Sequence, residues 1–199
     1  MAPRAAIRRV ERRDGAELIR RARDSVELHR PWLFPPLTEE AFESHLALLE
    51  RPDRAGFVVC VPGTGAIAGF VNINNIVRHG FQCGAVGYGA YRPYAGQGHM
   101  SDGFGLVLRY AFGPLGLHRL EANIQPGNEA SVGLVRRHGF RLEGFSPDFL
   151  FIDGAWRDHQ RWAITAEMLP AADGPAGGTG RPESDRGWHP ESHQAFGAS

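Results

Sequence analysis

A short turn with two glycines, Tyr94 to Met100, constrains this chain more than any other stretch. It follows a strand-like run over residues 85–90 and precedes a helical pattern over residues 101–112. Gly96 and Gly98 allow a tight turn whose backbone N–H groups can approach a ligand. The unpaired N–H groups and the dipole at the start of the following helix favour an anion there. The turn therefore predicts either a diphosphate site or a plain helix entry without a ligand.

Length and composition limit the remaining possibilities. The chain has 199 residues, 42% of them hydrophobic, which suits one domain with a packed core. Its formal net charge is zero, so no overall field favours DNA. All 22 basic residues are arginines, which excludes a lysine Schiff base and a Walker lysine. Without a signal-peptide pattern or a long apolar run, we expect a cytoplasmic protein that does not enter a membrane.

Cysteine and histidine spacing argues against a metal or disulfide framework. Cys60 and Cys83 lie in separate runs without a CxxC spacing, so we expect buried thiols in a reducing compartment. The nine histidines show no paired ligand spacing, and we therefore expect no metal site.

Apolar periodicity and turn residues predict helices that alternate with strands. Asp14, Thr38 and Asn128 are placed to cap helices, and the prolines in residues 29–36 make an irregular aromatic loop. Asp153-Gly154 is a type I′ turn signature for a closing hairpin. Strands are expected over residues 5–10, 56–61, 66–76, 81–90, 118–124, 140–151 and 156–166. We expect a domain over residues 1–169 and a disordered Pro/Gly-rich tail over 170–199, whose Trp188 and Phe196 are stray aromatics.

Five stretches, taken together, resemble the GNAT N-acetyltransferases, and most of all their RimJ/RimL type. The resemblance covers residues 7–168 and is carried by Val71 to Gly80, Val86-Gly87-Tyr88, Tyr94 to Met100, Leu117 to Ala122, and Asn128-Glu129-Ala130-Ser131. It implies a three-layer α+β fold, with a mixed, mostly antiparallel sheet of about seven strands flanked by about four helices. It also implies an acetyl-CoA-dependent N-acetyltransferase.

The family's Gln/Arg-x-x-Gly-x-Gly/Ala turn holds the coenzyme A pyrophosphate on backbone amides. The resemblance therefore implies that acetyl-CoA, as cosubstrate, contacts Tyr88, Ala95, Gly96, Gln97, Gly98, His99, Met100, Asn128 and Ser131. Ala95 stands at the Gln/Arg position and Met100 at the last small position. We expect binding to survive both changes because the amides bind through the backbone. The Gln97 and His99 side chains either reach phosphate or face solvent.

The resemblance also implies the catalytic groups. Glu121 matches the carboxylate that accepts the amine proton, often through water, although an ion pair with an arginine would explain it equally well. Relatives often place a tyrosine acid where this chain has Val135, so Ser131 is expected to hydrogen-bond the departing sulfur, with Tyr88, Tyr91 and Tyr94 in reserve. The reaction is then a direct transfer without an acyl-enzyme.

The acceptor side is less constrained by the sequence. Trp32, Phe34 and Asn75 are expected to line it, and the leading acceptor is a protein or peptide α-amine, by resemblance that of a ribosomal protein. A small-molecule amine and a non-catalytic acyl-CoA-binding module are the alternatives, and a homodimer is left open. A dinucleotide site is disfavoured because a third glycine falls at the wrong spacing and the strands pattern as antiparallel.

Overall fold

The computed structural model describes residues 4–169, and the tail expected over residues 170–199 lies outside them. Its strands are β1 (Ala6–Arg9), β2 (Ala55–Cys60), β3 (Ile67–Val77), β4 (Cys83–Ala90), β5 (Arg119–Ile124), β6 (Arg141–Ile152) and β7 (Ala155–Thr165). Its helices are α1 (Gly15–Asp24), α2 (Val26–His29), α3 (Glu39–Leu49), α4 (His99–Phe112) and α5 (Glu129–Arg137). Every predicted strand is present, with bounds shifted by at most two residues.

The seven strands form one sheet in the order β1-β2-β3-β4-β5-β7-β6. All neighbours are antiparallel except β4 and β5, which run parallel. The mixed, mostly antiparallel sheet is thus confirmed. The closing hairpin turns at Asp153 and Gly154, whose φ angles of 50° and 75° are those of the predicted type I′ turn.

Helices cover both faces of the sheet. On one face, α4 packs through Phe104, Val107, Leu108 and Ala111, together with Val132 and Val135 of α5. On the other, α1 and α3 pack through Leu18, Ile19, Phe42 and Leu46 against Val58 and Ile67. Period-two alternation along the strands supplies both apolar layers, which gives the three-layer architecture.

The parallel pairing of β4 and β5 is short. It comprises three rungs, Cys83 with Arg119, Gly84 with Leu120 and Ala85 with Glu121. Beyond Glu121, β5 continues to pair with β7, while β4 continues to pair with β3. The two strands therefore diverge inside the sheet, and the opening between them positions the candidate site.

Local details follow the sequence with two corrections. Thr38 caps α3 as predicted, accepting the Ala41 N–H at 3.2 Å. Asp14 precedes α1 but does not cap it, because its carboxylate accepts two 2.7 Å hydrogen bonds from Arg8 and one from the Glu11 N–H. Cys60 is buried as expected, whereas Cys83 is only half-buried; both are free thiols.

Candidate active site

The glycine turn has the geometry of an anion cradle. Gly96 and Gly98 have φ angles of 79° and 86°, left-handed values that favour glycine. The first backbone hydrogen bond of α4 runs from the Asp102 N–H to the Gly98 carbonyl, so the preceding amides have no partner within the helix. A Cβ at Gly96 would meet no atom within 4 Å, which leaves open space beside the turn. These features fit a diphosphate bound by backbone amides.

The turn opens into a cavity of about 670 Å³ between α4, α5 and the end of β4. Six of the predicted coenzyme residues line it: Tyr88, Gly96, Gly98, Met100, Asn128 and Ser131. Arg4 and Arg137 also line the cavity, and the Arg4 guanidinium is held beside the turn by two 3.1 Å hydrogen bonds to the Asp102 carboxylate. Cavity size, free amides and two arginines together fit the phosphates of coenzyme A.

The other three turn residues use their polar groups elsewhere. The Ala95 N–H donates to the Tyr91 carbonyl at 3.0 Å, and the Gln97 side-chain amide donates to the Pro93 carbonyl at 2.7 Å. The His99 Nδ1 lies 2.5 Å from the Arg4 carbonyl. These contacts favour a structural role for the Gln97 and His99 side chains over the phosphate contact that the sequence left open.

A hydrogen-bonded pair lies at the inner end of this cavity. The Tyr88 hydroxyl is 2.6 Å from the Ser131 Oγ, although their positions are 43 residues apart in the chain. Burial raises the pKa of the Tyr88 phenol to about 12, despite the hydrogen bond with Ser131, so the phenol remains protonated at neutral pH. Asn128 caps α5 as predicted, accepting the Ser131 N–H at 3.1 Å, and thereby positions the serine.

A second, smaller cavity of about 150 Å³ occupies the opening between β4 and β5. Tyr88, Ser131, Asn128, Trp32 and Leu33 line both cavities, so the two spaces meet at the Tyr88–Ser131 pair. The smaller cavity is further lined by Val86, Gly87, Ala122, Asn123, Ile124, Gln125, Leu150, Ile152 and His159. This opening connects the α4/α5 face of the sheet with the opposite face.

Glu121 stands just outside this opening. It lies on the last rung that β4 and β5 share, and it is not among the described residues that line the smaller cavity. Its two carboxylate oxygens accept from Arg119 Nε at 3.0 Å and Arg161 Nη2 at 2.9 Å. Of the two roles left open by the sequence, this geometry supports the structural ion pair.

The predicted acceptor residues are only partly brought together. Trp32 lines the junction of the two cavities. Phe34 lies under the Arg30 guanidinium and beside a separate apolar cavity of about 570 Å³ between α1, α3 and the sheet. Asn75 is an exposed residue in the bulge of β3, with a φ of 52°, and it lines neither part of the opening. We therefore do not assign Phe34 or Asn75 to the acceptor site.

Sequence reasoning missed three residues at the site: Arg4, Arg137 and His159. The two arginines carry no local signal, because Arg4 precedes β1 and Arg137 ends α5, so both are far from the glycine turn in the chain and reach the cavity only in the folded structure. His159, by contrast, did carry a local sequence signal. Period-two alternation in the closing hairpin puts it on the same face as the buried Ala163, where a polar side chain needs an explanation.

No group of three or more His, Cys, Asp or Glu side chains within residues 4–169 is arranged to hold a metal ion. Over the same residues, no helix combines the length and the apolar character needed to cross a bilayer.

Comparison with known proteins agrees with this geometry. The model of the acetyltransferase (GNAT) domain family matches residues 4–141. The ribosomal protein uS5-alanine N-acetyltransferase of Escherichia coli is 30% identical over 172 residues, which cover 81% of this chain and 88% of that protein. Mycobacterium smegmatis RimJ, solved with CoA-disulfide, superposes with a TM-score of 0.76 at 29% identity, over 83% of this chain and 84% of RimJ.

A more distant structure shares the fold alone. The spermidine N-acetyltransferase of Vibrio cholerae, solved with CoA and spermine, has a TM-score of 0.71 at 20% identity, over 83% of this chain and 97% of that one.

Proposed function

Because the chain belongs to the acetyltransferase (GNAT) family and is an acetyl-CoA-dependent N-acetyltransferase, we propose that its acceptor is the N-terminal α-amine of a protein, by similarity a ribosomal protein. The observation that carries the proposal is the opening beyond the Ala85–Glu121 rung, which joins the glycine turn to a narrow cavity on the other face. A single extended chain end fits such a passage.

The lining of the smaller cavity supports a monoamine over a polyamine. None of the described residues that line it is Asp or Glu. A polyamine keeps one or more ammonium groups beyond the reacting nitrogen, and each needs a carboxylate or water to offset its desolvation. A peptide N-terminus brings one charged group only. The E. coli relative, named for acetylating an alanine of ribosomal protein uS5, supports the same choice.

The proposed chemistry is a direct transfer in a ternary complex. Acetyl-CoA supplies the thioester, with its diphosphate on the Gly96 and Gly98 amides and its reacting end at the junction of the cavities. Tyr88 and Ser131 lie on the α4/α5 face and donate a hydrogen bond to the departing sulfur. Trp32 lines the junction and helps to exclude water. Holding the amine against the thioester supplies most of the rate.

The same proposal covers the extent and the setting of the protein. We propose that the acetyltransferase domain extends over residues 1–169, and a ribosomal-protein acceptor would put the reaction in the cytoplasm. A homodimer finds support in edge strand β6 and its hairpin partner, which expose apolar side chains at Leu142, Phe145, Phe151 and Trp156.

An acceptor screen tests the proposal. The full chain is incubated with acetyl-CoA and either Ala-initiated peptides, the same peptides with a blocked α-amine, or spermidine, and thiol release is followed. Mass spectrometry then locates the acetyl group. We expect acetylation of the free α-amine and none of the blocked peptide. Turnover with spermidine alone would overturn the proposed acceptor, and CoA binding without turnover on any amine would favour a non-catalytic role.

A further inference from the structure

His159 is a buried imidazole to which the proposed transfer assigns no role. Its side chain is only 2% exposed, yet it lines the cavity between β4 and β5. Its ring packs edge-on against Phe149, with the centroids 5.9 Å apart. Within residues 4–169 it forms no ion pair. A buried polar ring at the wall of a reaction cavity calls for a chemical explanation.

The hydrogen bonds of His159 define its tautomer. Nδ1 lies 2.8 Å from the Arg157 carbonyl oxygen. Because a carbonyl can only accept, Nδ1 carries the hydrogen, and the neutral ring then has its lone pair on Nε2. Nε2 has no hydrogen-bond partner among the described residues. The ring is therefore oriented by the backbone, with the lone pair of Nε2 left as its acceptor.

A second polar atom on the same wall is also unpaired. The Asn123 Oδ1 is buried without a hydrogen-bond partner, and Asn123 lines the cavity. Asn123 pairs with Arg161 across β5 and β7, so His159 is its diagonal neighbour on the same face of the sheet. Such neighbours lie about 7–8 Å apart, which leaves room for a nitrogen that contacts both side chains.

These two side chains face the reaction from the side opposite the Tyr88–Ser131 pair. Ala122 and Trp162, which alternate with Asn123 and Arg161 along β5 and β7, belong to the core under α4 and α5, so His159 and Asn123 point to the other face. Tyr88 instead contacts Phe104 of α4. The opening therefore has the Tyr88–Ser131 pair on the coenzyme face. Asn123 and His159 lie on the face from which an amine would approach, together with the Arg161 guanidinium, whose Nε is also buried and unpaired.

We propose that His159 is the general base of the acetyl transfer and that Asn123 holds the incoming amine beside it; this rests on the proposed function. A protein α-amine has a pKa of roughly 7.7–8.0 and arrives largely as an ammonium, so it must lose a proton before it can attack. Asn123 Oδ1 accepts one N–H, and His159 Nε2 takes another proton. Glu121 is less suited to the task because both of its oxygens are held by arginines.

The transfer then balances. The nitrogen lone pair attacks the thioester carbonyl carbon, the C–N bond forms, and the C–S bond breaks with its electron pair leaving on sulfur. Of the two protons that the ammonium loses, the first passes through His159 to solvent. The second ends on the sulfur by way of the Tyr88–Ser131 pair, which gives amide and free thiol.

The test compares His159→Ala with His45→Ala, a half-buried histidine on α3 that lies away from the opening. We expect His159→Ala to lower kcat/KM for the acceptor by about 100-fold or more, with CoA affinity within threefold of wild type. Free imidazole should restore activity to His159→Ala, because the removed side chain leaves space for it, and should not stimulate His45→Ala.

Three outcomes would overturn the proposal. One is near-normal turnover by His159→Ala. Another is a loss of turnover that free imidazole does not restore and that is accompanied by an equal loss of CoA affinity. The third is a 100-fold loss in Glu121→Gln with His159→Ala unaffected, which would make Glu121 the base. The comparison can use any amine that the wild type acetylates, so failure with peptides alone removes only the proposed acceptor.

A measurement without an acceptor keeps the proposal testable in every case. Nitrogen-15 NMR of the histidine-labelled full chain bound to CoA reports which ring nitrogen of His159 carries the hydrogen, with His159→Ala providing the assignment. We expect the Nδ1–H tautomer. An Nε2–H tautomer would contradict the proposed role whatever the substrate.

Discussion

The polar side chains at the last rung shared by β4 and β5 and those beyond it differ in their hydrogen-bond partners. At that rung Glu121 has both oxygens occupied by Arg119 and Arg161. Beyond it, where the strands separate, the Asn123 Oδ1 is buried without a partner, and both Asn123 and His159 line a cavity. The same β5 sequence pattern thus produces an ion pair where the sheet is closed and available groups where it is open.

This difference indicates that strand pairing determines which polar side chains have partners within the protein and which remain available to a ligand. At the closed rung, Glu121 finds partners on its own strand and on the neighbouring one, Arg119 on β5 and Arg161 on β7. A polar side chain that points into a gap retains its hydrogen-bonding capacity for a ligand. Substitutions in the two regions should therefore act on different properties, stability in the closed sheet and ligand binding or turnover at the opening.

The largest effect is expected at the glycine turn, where the open region meets its ligand. Gly98→Val should weaken CoA binding by about 100-fold, because it fills the cradle and its Cβ would lie 3.0 Å from the Arg4 guanidinium. Isothermal titration with CoA measures this change. Gly63→Val is the matched control, since Gly63 has a similar φ of 84° but open surroundings in the β2–β3 turn.

Both glycine variants should lose stability to a similar extent, about 1–2 kcal/mol, from the strain of a left-handed valine. Equal CoA affinity in the two variants would contradict the assignment of the turn as the diphosphate site, because the turn would then be a helix entry without a ligand.

A smaller effect, on stability alone, is expected away from the opening, at Asp14 between β1 and α1. Burial raises the pKa of Asp14, but hydrogen bonds from Arg8 and the Glu11 N–H outweigh it and hold that pKa below the ordinary value. Asp14→Asn should therefore lower the free energy of unfolding by about 2 kcal/mol at neutral pH. Turnover per folded molecule should not change. Glu43→Gln, which removes an exposed partner of Arg12, should cost less than about 1 kcal/mol.

The sign of the pH dependence follows from the lowered pKa. Above the unfolded pKa of about 3.9 the carboxylate contributes in full, and the contribution disappears as the pH falls through the lower folded value. Urea unfolding of wild type and Asp14→Asn should thus converge in acid. A difference that persists at the lowest accessible pH would show that the carboxylate charge is not its source.

The smallest effect is expected at the Tyr88–Ser131 pair. Tyr88→Phe removes a proton donor but keeps the ring packing, so kcat should fall about tenfold, less than usual for a general acid because a thiolate leaves readily. The KM for acetyl-CoA should stay within threefold. Tyr91→Phe, a buried tyrosine beside the separate apolar cavity, serves as control. An unchanged kcat in Tyr88→Phe would mean that Ser131 or water protonates the sulfur alone.

The parts of the site that the sequence predicted correctly depend on local geometry. The glycine turn, the Asn128 cap that positions Ser131, and the alternating face of β5 each follow from residues within a few positions of one another. The roles that remain predictions or were reassigned depend on distant partners. Glu121 meets Arg161, which is 40 residues away in the chain, and no local pattern specifies that contact.

What the sequence determined by itself is the order of helices and strands and the conformation of the turn, because periodicity, caps and glycine φ preferences act over short distances. The three-layer arrangement was expected only from the resemblance to the GNAT family. Only the tertiary structure decided where β4 and β5 stop pairing, and hence which polar side chains keep an atom without a hydrogen-bond partner. The end of this pairing depends on contacts between strands that are far apart in the chain, since β4 continues with β3 and β5 continues with β7. As a result, Glu121 lies on the last rung that β4 and β5 share, whereas Asn123 and His159 line the opening beyond it. The tertiary structure also brings Tyr88 into contact with Ser131 in the cavity that begins at Gly96 and Gly98.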